Sequence, residues 1–259
     1  MPAMRLRIAV LFIAAFAIAF ACGGGSASSH PTTLATTRPA TASIDPYGNC
    51  PASADGIGKT YMGREIAQVM GHEAADWLDR PERDKEEAPK HLVERMQLRE
   101  TDVVADIGAG SGYLTFLMAR KVPQGKVLAV DIQQEMLDLI ASRAKENGFK
   151  NVEPVLGTIT DPKLSVAGVD AVLLVDAYHE FDHPREMMEA IARSLKPATG
   201  KVFLVEYRGE DPKVPIKPHH KMTVEQATRE MEAVGLRLER VDESLPRQHV
   251  MVFVTKAVP

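Results

Sequence analysis

Beyond residue 100 the chain moves between two periods of apolar and polar residues. Short continuous apolar runs, Val103-Val104-Ala105, Val127-Leu128-Ala129-Val130 and Val202-Phe203-Leu204-Val205, have the length and β-branched content of strands covered on both faces. Between them, apolar residues recur every three or four positions, as in helices with one buried face. The pattern predicts strands near 102–107, 126–131, 151–156, 169–176 and 201–207, and helices near 112–121, 133–147, 184–196 and 223–234. Two closing strands near 236–243 and 248–255 have only the turn around Ser244-Leu245-Pro246-Arg247 between them. That connection is too short for a crossover helix, so the two must be an antiparallel hairpin. The expected fold class is α/β: a doubly wound, mainly parallel sheet of seven strands with a C-terminal antiparallel hairpin. Upstream, Ile66, Val69 and Met70, then Leu92, Val93 and Met96, repeat at helical spacing. They predict two amino-terminal helices forming a cap over 56–100.

The first of these strands stops at an acid and turns through alternating glycines, Asp106-Ile107-Gly108-Ala109-Gly110-Ser111-Gly112-Tyr113, and the next ends in Val130-Asp131-Ile132. Glycine has no Cβ, so it takes up unusual turn angles and lets the main chain touch a ligand. An acid at the carboxyl end of a parallel strand is placed to accept hydrogen bonds from ribose hydroxyls. The spacing excludes a dinucleotide, whose fingerprint puts its third glycine three places after the second, where this chain has Tyr113.

Asp-x-Gly-x-Gly-x-Gly with an acid ending the following strand resembles the class I S-adenosylmethionine-dependent methyltransferases, over residues of roughly 100–255. Leu195-Lys196-Pro197 before a strand, and the His-x-x-Thr-x-Glu-Gln run from His220, are similar to the small-molecule group that includes the quinone-biosynthesis C-methyltransferases. Ala198-Thr199-Gly200 replaces that group's usual pair of glycines, a change in a turn. The resemblance implies a Rossmann-like methyltransferase fold over 101–259 and S-adenosyl-L-methionine as cofactor. It implies cofactor contacts from Asp106, Gly108, Ala109, Gly110, Gly112 and Tyr113, from Asp131 and Ile132, from Gly157 and Thr158, and from Asp176. Thr158 stands where the family has an acid or amide for the adenine, and Asp161 is either a substitute or part of an Asp-Pro turn.

After the fourth strand comes Asp176-Ala177-Tyr178-His179-Glu180-Phe181-Asp182-His183-Pro184, the densest titratable cluster in the chain. This is the expected methyl-acceptor side. His179 is the candidate base, with its ordinary pKa nearest neutrality, and Glu180 or Tyr178 are candidate orienting partners; helix capping by His179 and Asp182 is the competing explanation. The segment also reads His179-Glu180-x-x-His183, the zinc-hydrolase signature, which requires both histidines on one helix face. It leaves an apolar strand directly and Pro184 disfavours helix at His183, so no metal is assigned. Met70-Gly71-His72-Glu73 and Trp77 are either a lid over the site or ordinary helix packing. The alternative functions are a zinc-dependent hydrolase using His179-Glu180-x-x-His183, a protein-repair isoaspartyl O-methyltransferase and a non-catalytic nucleoside-binding domain.

Composition adds limits. The 259 residues are 45% hydrophobic and 25% charged, with net charge −4, enough for one core and without a basic face for nucleic acid. Arg5 and Arg7 before an apolar run from Ile8 to Ala21 predict an export signal over 1–22, too short to span a bilayer comfortably. Ala21-Cys22 resembles a lipoprotein processing site, so Cys22 is expected to be lipidated and the protein to sit in the periplasm or cell envelope, attached to membrane. Ordinary cleavage after Ala19-Phe20-Ala21 is the alternative, leaving Cys22 and Cys50 able to pair. Residues 23–55, rich in Ser, Thr, Ala, Gly and Pro, are expected to be a disordered tether. The expected acceptor is a small molecule or lipid; the oligomeric state is open.

Overall fold

The computed structural model describes residues 45–256. The expected export signal, with Cys22, and most of the expected tether lie outside the described residues. Ahead of the large sheet, β1 (Tyr47–Asn49), β2 (Gly56–Tyr61) and β3 (Arg64–Ala67) form a three-stranded antiparallel sheet. Met62 and Gly63 join β2 to β3, both at positive φ (48° and 90°), as a two-residue turn matched to strand twist requires. This corrects the sequence pattern twice. β1 lies inside the stretch expected to be tether, and residues 64–67 are strand where helix was expected. The spacing of Ile66, Val69 and Met70 was misleading: Ile66 is fully buried on β3 whereas Val69 is 48% exposed.

A 3₁₀ turn at His72–Ala74, α1 (Ala75–Leu78), α2 (Arg83–Glu86) and α3 (Pro89–Arg95) replace the two expected helices. Only α3 has the inner face the pattern gave it, with Leu92 and Val93 buried and Met96 just beyond.

Apart from the two-residue β9 (Lys221–Met222), which the pattern did not predict, the remaining elements fall within a few residues of their predicted bounds: β4 (Val103–Ile107), α4 (Tyr113–Lys121), β5 (Lys126–Asp131), α5 (Gln134–Glu146), β6 (Val152–Leu156), β7 (Ala171–Val175), α6 (Pro184–Ser194), β8 (Lys201–Arg208), α7 (Val224–Ala233), β10 (Leu236–Asp242) and β11 (Gln248–Thr255). Seven strands lie in the order β10-β11-β8-β7-β4-β5-β6, and the two-residue β9 pairs with β8. β6, β5, β4, β7 and β8 run parallel, while β11 is antiparallel to both β8 and β10. Burial explains the order. β4, β5, β7 and β8 are apolar on both faces and take the interior, whereas half-exposed β6 carries Pro154 and takes an edge.

Neighbouring residues on the strands divide between two cores. Ala105, Leu174 and Leu204 pack against Met188 and Ile191 of α6 and Met231 of α7. Val104, Leu173 and Phe203 pack against Leu92 of α3 and Met118 of α4. Because the chain runs outward through β4, β5 and β6 and then returns to β7 on the other side of β4, a crevice is forced above the carboxyl ends of β4 and β7. Among the described residues, no helix is long and apolar enough to cross a membrane.

Candidate active site

A cavity of about 630 Å³ opens in that crevice. It is lined by Gly108 and Gly110 of the glycine turn, Asp131 at the end of β5 and Ile132 just past it, Gly157 and Thr158 after β6, and Asp176 after β7. Residues spread over seventy positions of sequence are thus brought to one wall. Gly108 has φ +72°, and a Cβ there would lie 2.8 Å from the Cβ of Ala177, so no other residue fits the turn without moving β7's loop.

Asp131 accepts hydrogen bonds from the backbone N–H groups of Gly110 and Gln133, each at 3.0 Å. The carboxylate therefore fixes the glycine turn and the start of α5, and each oxygen keeps a lone pair for a ligand. Burial pushes its pKa up, against those backbone hydrogen bonds. Asp176 holds a left-handed backbone at φ +50°. One of its oxygens accepts from Gln248 at 2.6 Å, and the other is buried without a protein partner. A strained acid with an orphaned oxygen beside a cavity suits a ligand's donor group. Together with the ribose-type acid and the open glycine turn, these features fit S-adenosylmethionine.

Four expected cofactor residues support the turn from outside the lining. Asp106 is buried beneath it, accepting from the Thr115 hydroxyl at 2.6 Å. The Ala109 N–H donates to the Val130 carbonyl. Gly112 packs on α5, where a Cβ would come within 2.9 Å of Ile140. The Tyr113 hydroxyl donates to Asp84 at 2.7 Å. Thr158 lines the cavity, but Asp161 is paired with Lys163 at 2.8 Å in the turn beyond.

Burial, with Asp131 adding to it, pushes the Asp106 carboxyl up to about 6 despite the Thr115 hydrogen bond and the Arg83 charge. The folded state thus favours the neutral acid: the benefit is complete below the ordinary value of 3.8 and lost as pH rises through about 6. At 1.36 kcal/mol per pH unit the ionised form costs up to about 3 kcal/mol. Asp106→Asn, which can still accept from Thr115, is therefore expected to raise the melting temperature at pH 8, with the gain shrinking toward pH 4. Melts at both values check this; an equal difference at the two would refute it.

Residues 70–87 cover the glycine turn. The Gln133 side chain accepts from the His72 N–H at 2.8 Å and donates to the Met70 carbonyl at 3.0 Å. Asp79 accepts from the Ser111 hydroxyl at 2.7 Å and pairs with Arg143 at 2.8 Å. Trp77, 44% exposed, lines the cavity with the Arg80 guanidinium 3.8 Å from its ring centroid. The segment has the position expected of a lid, although Met70 and Gly71 are not helical.

The other end of the cavity holds His179, Glu180 and His220. His179 is 1% exposed; its Nδ1 lies 2.6 Å from the carboxylate of fully buried Glu206, and its Nε2 lies 3.0 Å from Nδ1 of His220. Burial works against the imidazolium, but the Glu206 charge and hydrogen bond, with Glu180 nearby, hold the His179 pKa above its ordinary value. The orienting partner is therefore Glu206 from β8, in place of Glu180 or Tyr178. Glu180 instead accepts from the Met70 N–H at 3.2 Å. Tyr178 is buried in the core with its hydroxyl donating to Glu230 at 2.7 Å. The zinc-hydrolase pattern does not form either. His179 and Glu180 lie in a 3₁₀ turn, whereas His183 sits at the start of α6 beside Asp182, at 2.8 Å.

The sequence pattern did not pair Glu206 or His220 with His179, and it missed Gln133 as the lid's anchor. An isolated acid inside Val202-Phe203-Leu204-Val205-Glu206-Tyr207 was the available signal, since a charge in a strand buried on both faces needs a partner.

Strand order, switch-point cavity and strand-ending acid are together those of a methyltransferase-type α/β fold. Residues 104–198 match the family described as "Methyltransferase domain". "Uncharacterized methyltransferase YcgJ" of Bacillus subtilis is 30% identical over 122 residues, 47% of this chain and 47% of that one. A protein-L-isoaspartate O-methyltransferase of Ignicoccus hospitalis is 29% identical over 117 residues, 45% of this chain and 53% of that one. The chain spans about half the length of the curated relatives it matches. A solved S-adenosylmethionine-dependent methyltransferase from Aquifex aeolicus superposes with TM-score 0.67 over 72% of this chain and 100% of that one, at 24% identity. The fold is the Rossmann-like fold of class I S-adenosylmethionine-dependent methyltransferases.

Proposed function

We propose that this protein transfers a methyl group from S-adenosylmethionine to a small-molecule or lipid-like acceptor, quinones among the candidates. The observation that carries the reading is one cavity with a ribose-type carboxylate, Asp131, on one wall and a polar cluster around His179 on another. When bound, the cofactor supplies an activated methyl on a sulfonium. The chain's own residues have to place the donor and acceptor on one axis, because the reaction is an in-line displacement. Gly108, Gly110 and Asp131 would hold the nucleoside, and Asp176, with its orphaned oxygen, would take the ammonium group. Residues 70–87 would exclude water from the site.

His179 is the residue assigned to the acceptor's proton. With Nδ1–H donated to Glu206, its Nε2 carries the lone pair on the cavity side. The acceptor is then a molecule with an ionisable heteroatom or an activated carbon, held against the apolar wall of Ile57, Val69 and Ile159. The export signal and lipidated Cys22 would place this chemistry in the cell envelope, tethered to the membrane.

The test is calorimetric titration of the full chain with S-adenosylmethionine and S-adenosylhomocysteine, followed by transfer of labelled methyl to envelope lipid and quinone fractions. Micromolar binding and label in one fraction are expected. Absence of binding would remove the reading.

A further inference from the structure

Three potential donor atoms converge at the acceptor end: Nε2 of His179, Nδ1 of His220 and one carboxylate oxygen, Oε1, of Glu180. They come from a 3₁₀ turn after β7 and from a second 3₁₀ turn 41 residues downstream. The three separations are 3.0 Å between the histidine nitrogens and 3.8 and 3.7 Å from each nitrogen to the Glu180 oxygen. Tetrahedral zinc, with ligands about 2.0–2.1 Å away, sets its donor atoms about 3.3 Å apart. The observed triangle brackets that spacing, so shifts of a few tenths of an ångström would complete it.

The surroundings are those of a ligand set. Glu206, 0% exposed, lies 2.6 Å from the other ring nitrogen of His179. A buried carboxylate on the far side of a histidine fixes the tautomer that presents a lone pair to a metal and strengthens the ligand. Glu180 is held in the same manner: its second oxygen accepts from the Met70 N–H at 3.2 Å, which aims Oε1 at the histidines. All three side chains line the cavity, so a fourth coordination position would face the space assigned to the acceptor.

We infer that His179, Glu180 and His220 form a binding site for one divalent transition-metal ion, zinc in the first instance, with Glu206 as its supporting carboxylate. His220 offers Nδ1 by carrying its proton on Nε2, and His179 keeps its proton on the nitrogen facing Glu206. The metal takes the place of the 3.0 Å contact between the two rings. The role assigned to the ion rests on the methyl-transfer reading. A hydroxyl or thiol acceptor in the open position loses its proton to solvent more readily beside zinc, and the Nε2 lone pair then serves the metal instead of taking that proton directly. The acceptor class narrows accordingly to molecules with an ionisable O–H or S–H.

The experiment is metal titration of the full chain without a histidine tag, using zinc and, separately, cobalt. One equivalent of zinc per chain is expected, and cobalt should give the visible absorption of a four-coordinate site. Both signals should be lost in His220→Ala and in Glu180→Ala, and Glu206→Gln should weaken zinc binding by about 10–100-fold. His220→Asn serves if the alanine variant does not fold, as read from circular dichroism. Less than one equivalent in the wild-type chain, or binding unchanged in the folded variants, would overturn the site. Titration of wild type with S-adenosylhomocysteine reads the methyl-transfer reading separately: cofactor binding without metal defeats only the metal site, and metal without cofactor defeats only that reading.

Discussion

Asp131→Ala is expected to weaken S-adenosylhomocysteine binding by about 100-fold or more while the protein still folds. Hydrogen bonds to a charged group contribute roughly 1.5–3 kcal/mol each, and a ribose diol makes two, so about 3–6 kcal/mol of binding depends on this carboxylate. The same oxygens accept from the Gly110 and Gln133 N–H groups at 3.0 Å, so some stability goes with them. Water in the cavity can replace those two bonds, which keeps the stability loss nearer about 1–2 kcal/mol. Calorimetric titration and a thermal melt of the same sample separate the effects. Binding retained within a few fold would end the ribose assignment, whatever happens to the melt.

His179→Gln is expected to reduce methyl transfer by about 10²- to 10⁴-fold, the usual worth of a positioned acid–base group, with cofactor affinity nearly unchanged. Glutamine is chosen over alanine for a structural reason. Glu206 is completely buried and His179 is its partner at 2.6 Å; removing that partner outright would strand a carboxylate, a change that commonly costs about 3–5 kcal/mol. The glutamine amide can still donate to Glu206, but it offers no imidazole lone pair to a proton or a metal. The rate with labelled S-adenosylmethionine and the wild type's own acceptor is the measurement. A turnover equal to wild type would remove His179 from the chemistry, and a matched fall in cofactor affinity would make its role one of packing.

Much of the fold was legible because its signals are local. A short apolar run of four to eight residues bounded by turn residues favours a strand covered on both faces, and every strand from β4 to β11 except the two-residue β9 was found within two or three residues of its predicted bounds. The glycine turn was legible for the same reason, since positive φ at Gly108, Gly110 and Gly112 needs residues without a Cβ. The hairpin at 56–67 was not. Met62-Gly63 is a weak turn signal beside Asn-Gly, and Ile66, Val69 and Met70 imitate a helical stripe over too few residues to expose the error.

The division between what the sequence determined and what the tertiary structure decided follows the range of the forces. Sequence alone determined the α/β alternation, the strand-ending Asp131 and the failure of the dinucleotide spacing, because each depends on residues a few positions apart. Only the tertiary structure decided that β11 inserts between β10 and β8 and that Tyr178 turns into the core toward Glu230. It also decided that Glu206, 27 residues away, holds His179, and that His220, 41 residues away, faces it. Those pairings follow from burial: a charge or ring shut away from water must find its partner wherever packing has placed one, and that distance is not written along the chain.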